Sequence, residues 1–272
     1  MNDLDLLKKK TGMTIGTAWV LMFSSVALLF LSGFIYGIMH AQSKKPISMS
    51  ESTDMIMIFM VLSFLVFAMI GFYVNKKELP YFSKVSSKVM LILFVVAMCW
   101  SVISSVFLDY FQVSESMDKV AGFSRSWWFA IILNTSMIIF QIGVLGHGLL
   151  RNYSLKKSMI AISFICIVFY MPAAVSSMVI QSMILLYIYY RTSSFWVVLL
   201  TSTLMFVPEY IFRGMYDMPK FNYNYYKNIV MPSPTVYYSV CCFAVLALVP
   251  ALWYLKKQTQ TIQWEKEDEP LF

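Results

Sequence analysis

The stretch IGTAWVLMFSSVALLFLSGFIYGIM, residues 15–39, decides the fold class. It runs for 25 residues without one charged side chain. At a helical rise of about 1.5 Å per residue it is long enough to cross a hydrocarbon core about 30 Å thick. Such a segment must be a helix, because a lone strand would leave its backbone N–H and C=O groups unpaired in lipid. The basic run Lys8-Lys9-Lys10 precedes it, as in a secretory signal. Its length, however, exceeds the roughly 7–15 apolar residues of a cleaved signal, so an anchor is expected.

Seven further blocks of the same character follow: Met55–Val74, Val89–Leu108, Trp127–Leu150, Ser158–Met171, Ala173–Tyr190, Phe195–Phe212 and Tyr237–Leu255. Only Pro172 separates the fifth block from the sixth, and a tight turn at the far membrane face is expected there. The chain is 59% hydrophobic and 13% charged, with a mean hydropathy of +0.69. Soluble domains carry about 25% charged residues, so two soluble domains are excluded. The fold class is therefore all-α: a polytopic integral membrane bundle of about eight transmembrane helices. Residues 1–14 form an N-terminal segment, 15–255 one transmembrane domain, and 256–272 a polar tail that ends acidic (Glu265, Glu267, Asp268, Glu269).

The net charge of +7 sits mostly beside the apolar blocks, at Lys44-Lys45, Lys76-Lys77, Lys156-Lys157 and Lys256-Lys257 as well as the first run. This is the pattern of membrane-flanking anchors that attract anionic lipid, and it argues against nucleic acid. Alternate loops hold fourteen Lys and Arg against seven, which puts both termini in the cytoplasm. Trp127-Trp128, Tyr189-Tyr190, Tyr237-Tyr238 and Trp253-Tyr254 fall at the expected interfaces. Cys99, Cys166, Cys241 and Cys242 all lie in apolar blocks and read as small core residues. No glycine-rich phosphate loop and no nucleotide-binding domain are found.

Polar groups at bilayer depth are costly and are therefore candidates for function. The fourth block holds Asn134, Thr135, Ser136, Gln141 and His147; the sixth holds Gln181; the seventh holds Thr201, Ser202 and Thr203. The plainer reading is that they hydrogen-bond between helices and hold the bundle together. One imidazole makes no metal site, and His40 belongs to the opposite face. Glu209 and Arg213, four apart, can pair on a helix kinked by Pro208. The segment 213–236 carries Tyr216, Phe221, Tyr223, Tyr225 and Tyr226, suited to the headgroup layer or to a docking partner.

From Trp127 to Phe206 the order of features resembles the CAAX protease and bacteriocin-processing (Abi) family of bacterial membrane proteins. The resemblance rests on Gly148-Leu-Leu-Arg151-Asn152, on Ile167-Val-Phe169-Tyr-Met-Pro-Ala173, and on Tyr189-Tyr190-Arg191-Thr192-Ser193-Ser194-Phe195-Trp196. It covers about 80 residues, under a third of the chain, and the third stretch is its most specific part. The family's catalytic groups are not kept. Ile142 and Gly143 stand in place of two glutamates, His147 in place of an arginine, Ala173 in place of a histidine, and Ser202 and Phe206 in place of the final His and Asn. Ile, Gly, Ala, Ser and Phe cannot supply the family's roles of activating water and holding an oxyanion.

The resemblance implies a non-catalytic member of the bacterial cell membrane, with no metal and no cofactor. It would act as a regulator, chaperone or immunity factor that binds another membrane protein or a membrane-associated peptide. In that reading His147 and Ser202 lie close together, and Asn134, Gln141, Gly143 and Gly146 complete an inherited cavity. Two rivals stand beside it. One is a divergent intramembrane enzyme, a protease or acyl-transfer relative, using His147, Ser202 and Glu209. The other is the permease subunit of a peptide-export or self-protection transporter.

Overall fold

The computed structural model describes residues 12–42, 49–76, 79–110, 127–167, 172–216, 224 and 226–259. All regular structure among them is helical, apart from an isolated antiparallel bridge between Phe82 and Ser194. The helices are α1 (Ile15–Gln42), α2 (Met49–Val74), α3 (Ser87–Tyr110), α4 (Trp127–Ile138), α5 (His147–Leu150), α6 (Leu155–Ile167), α7 (Pro172–Thr192), α8 (Phe195–Tyr216) and α9 (Pro234–Gln258). The first apolar block is thus one uninterrupted helix. α7 starts at Pro172, where the missing N–H costs nothing because a first-turn amide has no intrahelical acceptor. The turn expected between the fifth and sixth blocks lies outside the described residues.

Among the described residues, five stretches are long and apolar enough to cross a membrane: Ile15–Gln42, Met55–Val74, Ser87–Phe107, Ile131–Leu150 and Pro234–Gln258. Phe195–Pro208 is a shorter apolar segment. The fourth stretch is the axis of the molecule, with 72% of it buried against 22% for the first and last. It is not the regular helix that its sequence suggests. Between α4 and α5 the chain widens into a π-helix, Ile139–Gly146, whose residues from Phe140 onward are all buried. Around this axis pack α2, α6 and α7, while α3 joins α7, α8 and α9. Trp100, Phe64, Phe140, Leu93 and Ile142 fill the core.

The helix ends that the charge count groups together do meet at one pole. The Met13 amide donates to the Gly148 carbonyl at 2.9 Å. Gly12 and Asn152 exchange two bonds: the Gly12 amide donates to Oδ1 at 3.0 Å, and Nδ2 donates to the Gly12 carbonyl at 2.7 Å. Ser83 donates its amide to the Ser193 carbonyl at 3.0 Å, and Phe195 donates its amide to the Tyr81 carbonyl at 2.8 Å. Arg191 bonds the end of α9 through Thr259. The segment before α1, the α2–α3 link, the α5–α6 turn, the α7–α8 turn and the end of α9 are therefore clasped together.

The opposite pole is tied by hydroxyls. Ser105 Oγ meets Tyr237 Oη at 2.9 Å, Ser101 Oγ meets Tyr226 Oη at 2.8 Å, and Asn224 Nδ2 donates to both the Ser105 carbonyl and Tyr237 Oη. Tyr237, at the start of α9, is fully buried. α9 packs along α3, so the tyrosine at its start turns inward to the serines of that helix.

Candidate functional site

The clasped pole is built around His147, the first residue of α5, which has no exposed surface. Its Nδ1 lies 2.9 Å from Tyr189 Oη, in a hydrogen bond whose direction depends on the imidazole tautomer. The same phenol oxygen accepts the Tyr81 amide at 2.9 Å. The Tyr81 ring stands edge-on to the imidazole with centroids 5.1 Å apart. One tyrosine on α7 thereby ties the axial helix to the link between α2 and α3. Tyr189, expected at the membrane interface, is fully buried because its hydroxyl bridges these two elements.

Asn75, at the end of α2, adds a second tie. Its Nδ2 donates to the Val144 carbonyl at 3.0 Å. That carbonyl also accepts the His147 amide, and its two lone pairs allow both bonds. The following Lys76 adopts φ 57°, the left-handed conformation that commonly ends a helix. Asn75, Tyr81 and Gly12 were not singled out by the sequence, and Asn152 entered only as the end of the Gly148–Asn152 stretch. The available signal was an asparagine beside a basic loop, which has many bland explanations.

The six residues expected to share a cavity lie at different levels along the axis. Gly143 faces the ring of Phe195, so that an added Cβ would stand 2.9 Å from Cζ. At Gly146 a Cβ would stand 2.7 Å from Leu186 Cδ1. These glycines admit close neighbours rather than leave room for a ligand. Ser202 is not beside His147 either. Its Oγ donates to Asn134 Oδ1 at 3.1 Å. Thirteen residues separate Asn134 from His147, a distance on the order of 15–20 Å along the axis. Gln141 is buried in the π segment between these two levels.

Ile142 and Gly143 accordingly lie at the level of Phe195, not of Ser202, so these positions of the resemblance do not converge. The side chains of Ala173, Glu209 and Arg213 lie outside the described residues.

Most of the remaining polar cluster bonds within its own helix. Thr201 Oγ1 donates to the Val197 carbonyl, Thr203 Oγ1 to Leu199, and Ser136 Oγ to Leu133. Such back-bonds satisfy a hydroxyl in an apolar setting without linking helices. The Asn134–Ser202 bond, by contrast, links two helices. Gln181 Nε2, on α7, has no partner among the described residues. No group of three His, Cys, Asp or Glu that could hold a metal occurs among the described residues.

What the pole offers chemically is a buried imidazole and phenol in contact, walled by aromatic rings. It is equally what a structural clasp requires. Comparison of the chain with protein-family models, with curated proteins and with solved structures finds no match in any of the three.

Proposed function

We propose that this chain is a non-catalytic, partner-binding protein of the bacterial cell membrane, and that its partner is a transmembrane helix of another membrane protein. The supporting observation is the far half of α1. The buried residues of that helix end at Ser25, and Gly33 and Gly37 have no atom within 4 Å of where a Cβ would lie. Two open glycines four apart on an apolar helix form the small-residue face on which membrane helices approach closely. Glycine costs about 1 kcal/mol relative to alanine within a helix, a cost that close packing by a partner would offset. On α9 the exposed positions are filled by Phe243, Leu246 and Val249, which suit lipid.

In this reading the chain crosses the membrane eight times, with the clasped pole and both ends in the cytoplasm. The fourteen-to-seven charge bias and the gathering of the basic segments at one pole support that orientation. Roles as a regulator, chaperone or immunity factor are those that the resemblance to the CAAX-protease-like family implies.

Association is tested by crosslinking and co-purification in mild detergent. Gly33→Leu and Gly37→Leu should each abolish the partner while the protein accumulates normally. Retention of the partner by both variants removes α1 as the docking helix. Orientation is tested by labelling single cysteines in a cysteine-free background. Asn228→Cys should react from outside the cell and Lys157→Cys should not; the reverse result inverts the topology.

A further inference from the structure

The clasped pole also holds an open cavity of about 370 Å³ between the start of α3, the α7–α8 turn and the end of α9. Lys84, Arg191, Ser83, Ser86, Ser193 and Thr259 are among its lining residues, and no carboxylate is found among the described ones. Two cations thus line one space, and none of the described lining residues is acidic. Arg191 is held in place. Its Nε donates to Thr259 Oγ1 at 3.1 Å and its Nη2 to the carbonyls of Lys256 and Thr259. These bonds fix the guanidinium plane and leave Nη1 without a protein acceptor among the described residues.

The start of α3 forms one wall of the cavity, and the ends of α7 and α9 form others. Ser86 precedes the first turn of α3, and its carbonyl and hydroxyl accept the amides of Met90 and Val89. The amides of the first turn beyond these have no intrahelical acceptor, and the positive end of the helix dipole lies there. Lys88, within that first turn, is exposed. Lys257 is engaged over the Trp253 ring, 3.6 Å from its centroid. A planar guanidinium held by its own hydrogen bonds beside a lysine ammonium is chemistry that recognises tetrahedral oxyanions.

We propose that this cavity binds a phosphate ester, either the headgroup of an anionic lipid or a soluble phosphate compound. The site is independent of the α1 surface, so failure of one reading leaves the other standing. The test uses the purified full chain in zwitterionic detergent, titrated with phosphatidylglycerol against phosphatidylcholine, and separately with glycerol 1-phosphate and inorganic phosphate. Bound molecules are counted by native mass spectrometry. Lys84→Ala should weaken binding of the phosphate probe about fivefold, the effect of one lysine near an anionic surface. Lys157→Ala, an exposed lysine of the same pole outside the cavity, should leave it unchanged.

Displacement of bound phosphatidylglycerol by glycerol 1-phosphate identifies a soluble ligand, and resistance to it identifies the headgroup. Equal weakening in the two lysine variants shows only bulk charge attraction and overturns the proposal. Binding of neither the lipid nor the soluble phosphates overturns it as well.

Discussion

The two halves of α1 have the same apolar character and opposite surroundings. Up to Ser25 the helix is held: Ala18 and Met22 are fully buried, and Ser63 Oγ donates to the Ser25 carbonyl at 2.7 Å. Beyond it no residue of α1 is buried, and Phe30 and Phe34 are 73% and 66% exposed. In water such a surface would be intolerable. In lipid it is not, because hydrocarbon tails solvate phenylalanine as well as another helix does. Exposed aromatic side chains therefore say little about this protein, whereas exposed glycine is informative. The clasped end differs again, because its polar ties would be unsatisfied if they were opened into lipid.

The largest effect should come from forcing the clasp apart. A Cβ at Gly148 would stand 2.5 Å from Asn75 Oδ1 and 2.7 Å from Met13 Cβ, so Gly148→Leu meets fixed neighbours on two sides. We expect a loss of about 3 kcal/mol, the upper range for overpacking, seen as lost abundance and a lower melting temperature. Normal abundance would mean that the clasp does not hold the bundle.

Next comes Tyr189→Phe, which keeps the packed ring but removes the oxygen shared by the Tyr81 amide and His147 Nδ1. About 1–2 kcal/mol should be lost, since buried partners are left without it. An unchanged melting temperature would show that water or a rearranged link replaces the phenol.

The smallest effect should have the opposite sign. Gly33→Ala, in open space, should raise helix stability by under about 1 kcal/mol. A destabilised Gly33→Ala protein, measured alone in detergent, would show that this face is already packed within the chain. The contrast between the two halves of α1 would then disappear.

Much of the fold could be read from the sequence, and little of the site. Residues 15–39 and the blocks after them fixed an all-helical membrane protein, because bilayer thickness sets a length and lipid forbids unpaired backbone. The lysine distribution grouped the segments that meet at the clasped pole. The site was less legible for a geometric reason. Gly143 and Gly146 suggest vacancy when read along one helix, yet a glycine marks equally the place where a neighbour comes close. Ser202 and His147 are both polar and both central, but their levels depend on how α8 lies against the axial helix.

Sequence alone determined that this chain is a membrane helix bundle with one basic side, since those properties follow from local composition acting on a uniform solvent. Only the tertiary structure decided which residues meet. It pairs Asn134 with Ser202 and Tyr189 with His147, fills the space at Gly143 with Phe195, and leaves Gly33 and Gly37 open. Contacts of that kind depend on the rotation and depth of each helix relative to its neighbours. Apolar helices of similar composition carry almost no record of either, because lipid and protein solvate their faces nearly alike.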